Sequence, residues 1–104
     1  MASVIKGGEF VAKQAWGSQL IANMNGITTR VHWTDQPYKW HTNEGEEVFV
    51  VLAGLVEMKY RLEGAEHCVV LGSGDIFYAS AGTEHVAHPK GEARVLVVET
   101  EGSV

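Results

Sequence analysis

The sequence predicts an all-β domain that closes on itself as a jelly-roll barrel. No apolar stripe repeats at helical spacing over a useful length, whereas short runs of strand-forming residues recur along the chain. Turn residues separate these runs at intervals of roughly 8–12 residues, which is typical of a sandwich or a barrel. Closure is favoured over an open sheet because the sequence supplies no obvious protection for open edges. With 104 residues and no linker or repeat, the chain is expected to form one domain, 1–104.

The segment Ala12–Met24 has some apolar residues, but Gly17 and Asn23 interrupt them and no sustained helical stripe results. The first predicted strand begins at residue 27. Ile27–Trp33 alternates between two faces and is followed by the breaker Asp35-Gln36-Pro37. Glu47–Ala53 is almost continuously apolar, as expected of a strand that is covered on both faces. Gly54 is expected to end that strand.

The second half of the chain continues the same pattern. Val56–Leu62 alternates most regularly, and Glu63-Gly64 is predicted to form the turn that follows it. The rest of the chain is also predicted to consist of strands joined by turns. The remaining predicted strands, each separate, are Cys68–Leu71, Ile76–Ala79, Val86–His88 and Arg94–Thr100.

Composition and charge exclude several classes of protein. The formal net charge is −5 and the 8 Lys and Arg residues are scattered, so no nucleic-acid partner is expected. The longest apolar run, Val48–Ala53, has six residues, against about 18–20 for a membrane span. A single cysteine, Cys68, excludes a disulfide scaffold and is expected to be a buried thiol. We therefore expect a cytoplasmic protein that binds neither nucleic acid nor membrane.

The segment that begins at His41 carries the residues best suited to chemistry. On an extended strand His41 and Asn43 point to the same face, and Glu47 can return beside them on the next strand. His85 arrives from a later strand. Two imidazoles and one carboxylate suit a divalent transition metal and leave coordination positions open. Spacing alone leaves an alternative, in which the histidines are ordinary hydrogen-bonded residues and Glu47 belongs to a charged strand entrance.

Two stretches of the chain resemble the paired motifs of the cupin family. The stretch His41–Gly54 resembles H-x-H-x(3,4)-E-x6-G, with Glu47 at the glutamate position. The stretch Gly74–Pro89 resembles G-x5-P-x-G-x2-H-x3-N, with His85 at the histidine position. The resemblance is to the small single-domain group known as cupin 2 or mannose-6-phosphate-isomerase-like cupins. It implies the cupin-type double-stranded β-helix over residues 1–104.

The resemblance also implies a set of metal ligands. His41, Glu47 and His85 take the ligand positions of the family, for a divalent ion of iron, manganese, nickel or zinc. Asn43 stands where the family has a second histidine, and it could supply a weak fourth ligand. Ser80 replaces the proline of the second motif. These departures leave open a weaker site, an altered metal preference, or a cupin that has given up its metal.

Aromatic residues are the candidates for a ligand pocket at the mouth of the barrel. Trp33, Phe49 and Tyr78 could line it. The other three histidines are expected to lie elsewhere: His32 on a polar strand face with Arg30, His67 in a hairpin turn, and His88 on the face opposite His85.

Three functions follow from these residues. The first is a metal-dependent enzyme acting on a small polar molecule, for which the resemblance allows oxygenation, isomerisation, epimerisation or decarboxylation. The second is a metal-independent module that binds or senses a small molecule without catalysis. The third is a structural barrel. Cupins commonly pair through outer strands, so the resemblance implies a homodimer, with Phe10-Val11 and Leu20-Ile21 as available apolar patches.

Overall fold

The computed structural model describes residues 1–103 and consists mainly of β-strands. A single turn of 3-10 helix precedes them at Gly7–Glu9. Within residues 1–103, no helix has the length and apolar character that crossing a bilayer requires. The strands are β1 (Gly17–Met24), β2 (Ile27–Thr34), β3 (His41–Thr42), β4 (Glu47–Leu62), β5 (Ala65–Leu71), β6 (Ile76–Ala79) and β7 (Glu84–Thr100).

The centre of the fold is a long antiparallel ribbon of β4 and β7. It runs from Glu47 opposite Glu99 to Tyr60 opposite His85. The first half of β4 also pairs with β6 and the second half with β5. The second half of β7 also pairs with β2, which carries β1 at its outer edge, whereas the start of β7 pairs with β3. Each half of the ribbon is therefore the centre of a different group of strands.

The two halves of the ribbon face each other across one cavity. Phe49 and Met58, from opposite halves of β4, both line it. Ala87 and Val97, from opposite halves of β7, do so as well. The ribbon therefore doubles over and brings the two groups of strands together as a closed jelly roll. The predicted all-β jelly-roll fold is confirmed.

The β4–β7 ribbon bends at Gly54, where the sequence predicts the end of a strand. That prediction is wrong, because β4 continues through Gly54 as a bulge. Gly54 has φ +87°, and a Cβ built there would lie 2.3 Å from the carbonyl oxygen of Glu92. Only glycine accepts both constraints without rearrangement. The separately predicted strands Val86–His88 and Arg94–Thr100 are likewise two halves of one strand, β7.

The bulge also sets which side chains enter the core. Phe49 and Val51 are buried before it, whereas Val56 and Met58 are buried after it. Buried positions change from odd to even numbers because the bulge shifts the two-residue alternation by one. The same side of β4 therefore faces the core along its whole length.

Strand β1 is the element that the sequence does not predict. All its residues are exposed or half-buried, so no face of the strand requires an apolar pattern. The Asn25-Gly26 pair that follows has positive φ at both residues, as a two-residue hairpin turn requires. This dipeptide is the signal from which β1 could have been found.

Two further predictions, both for residues of strand β5, are wrong. Cys68 is exposed on it rather than buried. His67 lies within the strand rather than in a turn, and its ring stacks on that of Tyr60 with centroids 5.3 Å apart. The turn itself is at Glu63-Gly64, as predicted.

Candidate metal centre

The fold brings together the three residues that occupy the ligand positions of the motifs. His41 on β3 is the cross-strand partner of His85 at the start of β7, and their ring centroids lie 4.3 Å apart. Glu47 opens β4, and its Oε1 lies 2.8 Å from Nε2 of His85. One nitrogen or oxygen atom from each residue lies within 4.8 Å of the others. His85 and Glu47 are buried, with 2% and 4% of their surface exposed, and His41 is half-buried.

Both histidines are oriented by backbone carbonyls. Nδ1 of His41 lies 2.9 Å from the carbonyl oxygen of Lys39, and Nδ1 of His85 lies 2.9 Å from that of Thr83. A carbonyl oxygen can only accept, so each Nδ1 carries the proton. In the neutral ring the lone pair is then on Nε2, which leaves Nε2 as the nitrogen available to a metal ion.

Glu47 and His85 form a buried ion pair. Burial alone would raise the pKa of Glu47, but hydrogen bonds from His85 and Asn43 and the charges of His85 and His41 outweigh it and lower that pKa. Burial alone would lower the pKa of His85, but its bonds to Glu47 and the Thr83 carbonyl raise it above its ordinary value. A metal ion at this site must therefore displace the proton on Nε2 of His85.

His41 differs from His85 in its charge. Burial lowers its pKa, and the nearby charge of His85 lowers it further, against the opposing hydrogen bond to the Lys39 carbonyl. His41 is therefore neutral at pH 7 and offers the lone pair of Nε2. Of the two histidines, His41 can therefore coordinate a metal ion as it stands, whereas His85 must first lose a proton.

Asn43 supports Glu47 in this arrangement. Its Nδ2 donates to Oε1 of Glu47, while its buried Oδ1 has no hydrogen-bond partner among residues 1–103. An amide nitrogen does not bind metals, so coordination by Asn43 requires rotation of the amide and loss of its bond to Glu47. Two imidazole nitrogens and one carboxylate, preoriented and close together, fit a divalent transition ion.

The triad lines a cavity of about 260 Å³. Of the three aromatic residues predicted for the pocket, Phe49 lines this cavity. Trp33 lies elsewhere and donates from Nε1 to Glu92 at 3.0 Å. Tyr78 lines a separate hollow and donates to Glu46. The other lining residues fall into two groups by chemistry, here called the apolar part and the polar part of the lining. The apolar part consists of Phe49, Met58, Ala87 and Val97, and the polar part of Trp16, Ser18, Arg30, His32, Tyr38, Glu99 and Ser103.

The polar part of the lining contains residues to which the sequence analysis assigned no role. Arg30 and His32 share a strand face, as predicted, but that face lines the cavity. His88, as predicted, does not lie with His85 in the cavity lining. Burial lowers the pKa of His32 most strongly, and its Nδ1 donates to the Trp16 carbonyl at 3.2 Å.

Glu99 is the titratable residue that the sequence analysis missed. It lies opposite Glu47 in the ribbon and lines the cavity. Burial and then the negative charge of Glu47 raise the pKa of Glu99 to about 7, against the opposing charges of His85 and Arg30. The available signal was its place in Val95–Glu99, where alternation puts a carboxylate on the inward face.

Comparison with known proteins agrees with the fold and the motifs. The sequence matches the cupin domain family, Cupin_2, over residues 31–99. A cupin-2 domain-containing protein from Shewanella frigidimarina is 24% identical, with a TM-score of 0.76 over 86% of this chain and 85% of that one. A conserved protein of unknown function from Streptococcus pyogenes is 16% identical, with a TM-score of 0.79 over 100% and 91% of the two chains.

A third structure is that of an enzyme. A hydroquinone 1,2-dioxygenase, in complex with Cd²⁺ and 4-hydroxybenzonitrile, is 15% identical, with a TM-score of 0.74 over 86% of this chain and 67% of that one. At these identities the structures show a shared fold. No curated protein matches the sequence. Because the family match covers well over half of the chain, the protein belongs to the cupin domain family.

Proposed function

We propose that this cupin binds a divalent transition-metal ion through His41, Glu47 and His85 and acts as an enzyme on a small polar molecule in the cavity. The observation that supports the metal is the orientation of the two histidines. Each Nδ1 is bound to a backbone carbonyl, so each Nε2 is left for the metal, next to a buried carboxylate. Such second contacts are typical of metal-binding histidines.

Oxygenation is the reaction class that this donor set favours. A 2-His-1-carboxylate set with open positions is the arrangement of non-haem Fe(II) oxygenases. A bound Fe(II) ion would supply activation of dioxygen and orientation of the substrate. A hydroquinone 1,2-dioxygenase that binds Cd²⁺ has the same fold, which agrees with this choice. Manganese, nickel and zinc suit the same ligands and remain the alternatives.

The residues around the triad have separate parts in this function. Asn43 holds the carboxylate of Glu47 in place through Nδ2. Phe49 and Met58, both buried, give the cavity apolar surface for the hydrocarbon part of a ligand. Glu99, with a pKa of about 7, can hold or release a proton near neutral pH. A divalent ion beside Glu47 would lower the pKa of Glu99, because it offsets the charge that helps to raise it.

The test begins with metal content. Protein purified without a chelating column, then reconstituted anaerobically with Fe(II), is expected to hold about one ion per chain. His85→Ala should lose that ion, whereas His88→Gln, on the same strand but outside the cavity lining, should retain it. Failure of the wild type to take up any transition metal would rule the proposal out. Oxygen consumption with small phenols and acids then tests the reaction class.

A metal-independent binding module is the second candidate. It is favoured by Asn43, which gives the site one imidazole fewer than the family motif, and by an ion pair that neutralises Glu47 without metal. A small molecule that raises the melting temperature equally with and without metal, and is not turned over, would establish this function instead.

We also propose that the protein forms a homodimer through β1. Leu20 and Ile21 on this edge strand are 45% and 41% exposed, and Val11 before it is 62% exposed. An edge strand with exposed apolar side chains favours pairing with a second copy. Light scattering at micromolar concentration is expected to show a dimer that Ile21→Glu disrupts and Val70→Glu, on β5, does not. A monomeric wild type would exclude this role.

A further inference from the structure

Unpaired polar atoms are concentrated at the cavity. Nε1 of Trp16 and Oγ of Ser103 are buried and belong to residues that line the cavity. Within the described part of the chain neither atom has a hydrogen-bond partner. The third such side-chain atom within residues 1–103 is Oδ1 of Asn43, beside Glu47. Buried polar groups are normally paired, so unpaired ones that share one cavity indicate where a ligand supplies the partners.

Trp16 is also held in an unusual backbone conformation. Its φ is +61°, in the left-handed region that bulky residues rarely adopt. The carbonyl of Trp16 accepts from Nδ1 of His32 at 3.2 Å, and its ring packs edge-on against Tyr38 at 5.1 Å. Backbone strain of this kind tends to occur at ligand sites, where surrounding contacts maintain it. Trp16 is therefore placed as a fixed hydrogen-bond donor at the cavity.

Arg30 adds a positive charge to the polar part of the lining. It is the one Lys or Arg among the described residues that line the cavity. Its Nη1 donates to Oγ of Ser18 at 3.2 Å, and it makes no ion pair within residues 1–103. A guanidinium has five N–H donors in a planar fork that matches a carboxylate. Most of this donor capacity is available to a ligand.

We propose that the cavity recognises a small organic acid, whose carboxylate is bound by Arg30 and Trp16 while a hydroxyl or oxo oxygen at its other end reaches the metal centre. This inference rests on the proposed metal site. It assigns the ligand a short hydrocarbon body as well, because Phe49 and Met58 contribute apolar surface to the lining of the same cavity. A volume of about 260 Å³ accommodates a body of a few carbons.

The charges in the cavity agree with an anionic ligand. Arg30 and a divalent ion together outweigh the carboxylates of Glu47 and Glu99. His32 adds no charge at neutral pH, because burial lowers its pKa. Glu99 is the one group in the polar part that opposes an anion, so its replacement by glutamine is expected to strengthen binding of an acid.

The experiment is calorimetric titration of Zn²⁺-loaded and metal-free protein with glycolate, lactate and 2-hydroxybutanoate, each compared with its uncharged amide. At least one acid is expected to bind about 10-fold or more tightly than its amide. Arg30→Gln should weaken that acid about 10- to 100-fold, as expected for hydrogen bonds to a charged group, and leave the amide unchanged. Trp16→Phe, which keeps a ring without the N–H, should weaken the acid about 5- to 10-fold.

Two controls separate this inference from the proposed metal site. Arg61→Gln removes an exposed arginine outside the cavity lining and should leave the acid preference intact. If the protein takes up neither Zn²⁺ nor any other divalent transition ion, the metal proposal fails. The acid preference and its dependence on Arg30 are then measured in the metal-free titrations. Equal binding of acids and amides, no binding of either, or an acid preference that survives Arg30→Gln would each overturn the carboxylate subsite.

Discussion

Glu47 and His85 are joined by a direct contact of 2.8 Å between Oε1 and Nε2, inside the barrel and almost out of contact with solvent. The other ring nitrogen of His85 donates to the carbonyl of Thr83. With an acceptor at each end, the ring is most stable as the imidazolium when no metal is bound. A proton and a metal ion therefore compete for the same nitrogen atom.

Metal affinity is expected to rise with pH. The pKa of His85 is raised above its ordinary value of 6.5, so at pH values below that raised pKa the ion must displace one proton. One displaced proton corresponds to about a 10-fold gain in affinity for each pH unit. His41 adds little, because its pKa is lowered. Competition titrations from pH 5.5 to 8.5 check the slope, and an affinity that does not vary with pH would contradict the ion pair.

The stability of the metal-free protein is expected to fall as the pH rises through neutrality. A raised pKa in the folded state means that His85 stabilises the protein fully below pH 6.5 and loses that contribution as the pH passes its folded-state pKa. Glu99 acts in the same direction, since its pKa rises from 4.5 to about 7. Glu47, whose pKa is lowered, contributes stability above pH 4.5 and loses it in acid. The lowered pKa values of His32 and His41 oppose the decline below pH 6.5, so the fall in stability is clearest above that pH.

Melting temperatures of metal-free protein between pH 4 and 9 test the predicted direction of the change in stability with pH. Glu99→Gln should remove the loss of stability that Glu99 causes between about pH 4.5 and 7 and leave the decline due to His85. Saturation with metal should flatten the remaining decline, because the ion takes the place of the proton. A melting temperature that rises steadily from pH 6 to 9 without metal would be the opposite result.

Replacement of Asn43 tests its part at the metal centre. Asn43→Ala removes the donor to Glu47 and is expected to weaken metal binding about 10- to 100-fold, the usual effect of losing a contact to a ligand. Asn43→His places an imidazole at the position where the family motif has one, and it should tighten binding if that ring coordinates. Metal affinities of both variants, with spectra of the Co²⁺ forms, measure the two effects. Unchanged metal affinity in both variants would show that Asn43 has no part in metal binding.

The sequence was sufficient to identify the fold and the triad because both depend on local signals. His41, Glu47 and His85 are defined by spacing within two short motifs, and turn residues mark the boundaries of most strands. The polar part of the cavity lining could not be predicted in that way. Arg30 and Glu99 come from strands far apart in sequence, and which face of each strand looks inward depends on register and bulges. β1 was not predicted because it buries neither face, so its sequence carries no alternating apolar pattern.

Gly54 is expected to be the glycine least tolerant of substitution among those with positive φ. Gly54→Ala combines φ +87° with a Cβ 2.3 Å from the carbonyl oxygen of Glu92. Gly64→Ala is a matched control, because its φ is +79° but nothing lies within 4 Å of the added Cβ. The control should lose about 1 kcal/mol of unfolding free energy, the penalty for a left-handed alanine, and Gly54→Ala about 3 kcal/mol or more. Urea denaturation of the metal-free proteins measures both. Equal losses would show that the bend in the β4–β7 ribbon depends on backbone conformation alone and not on the close approach of Glu92.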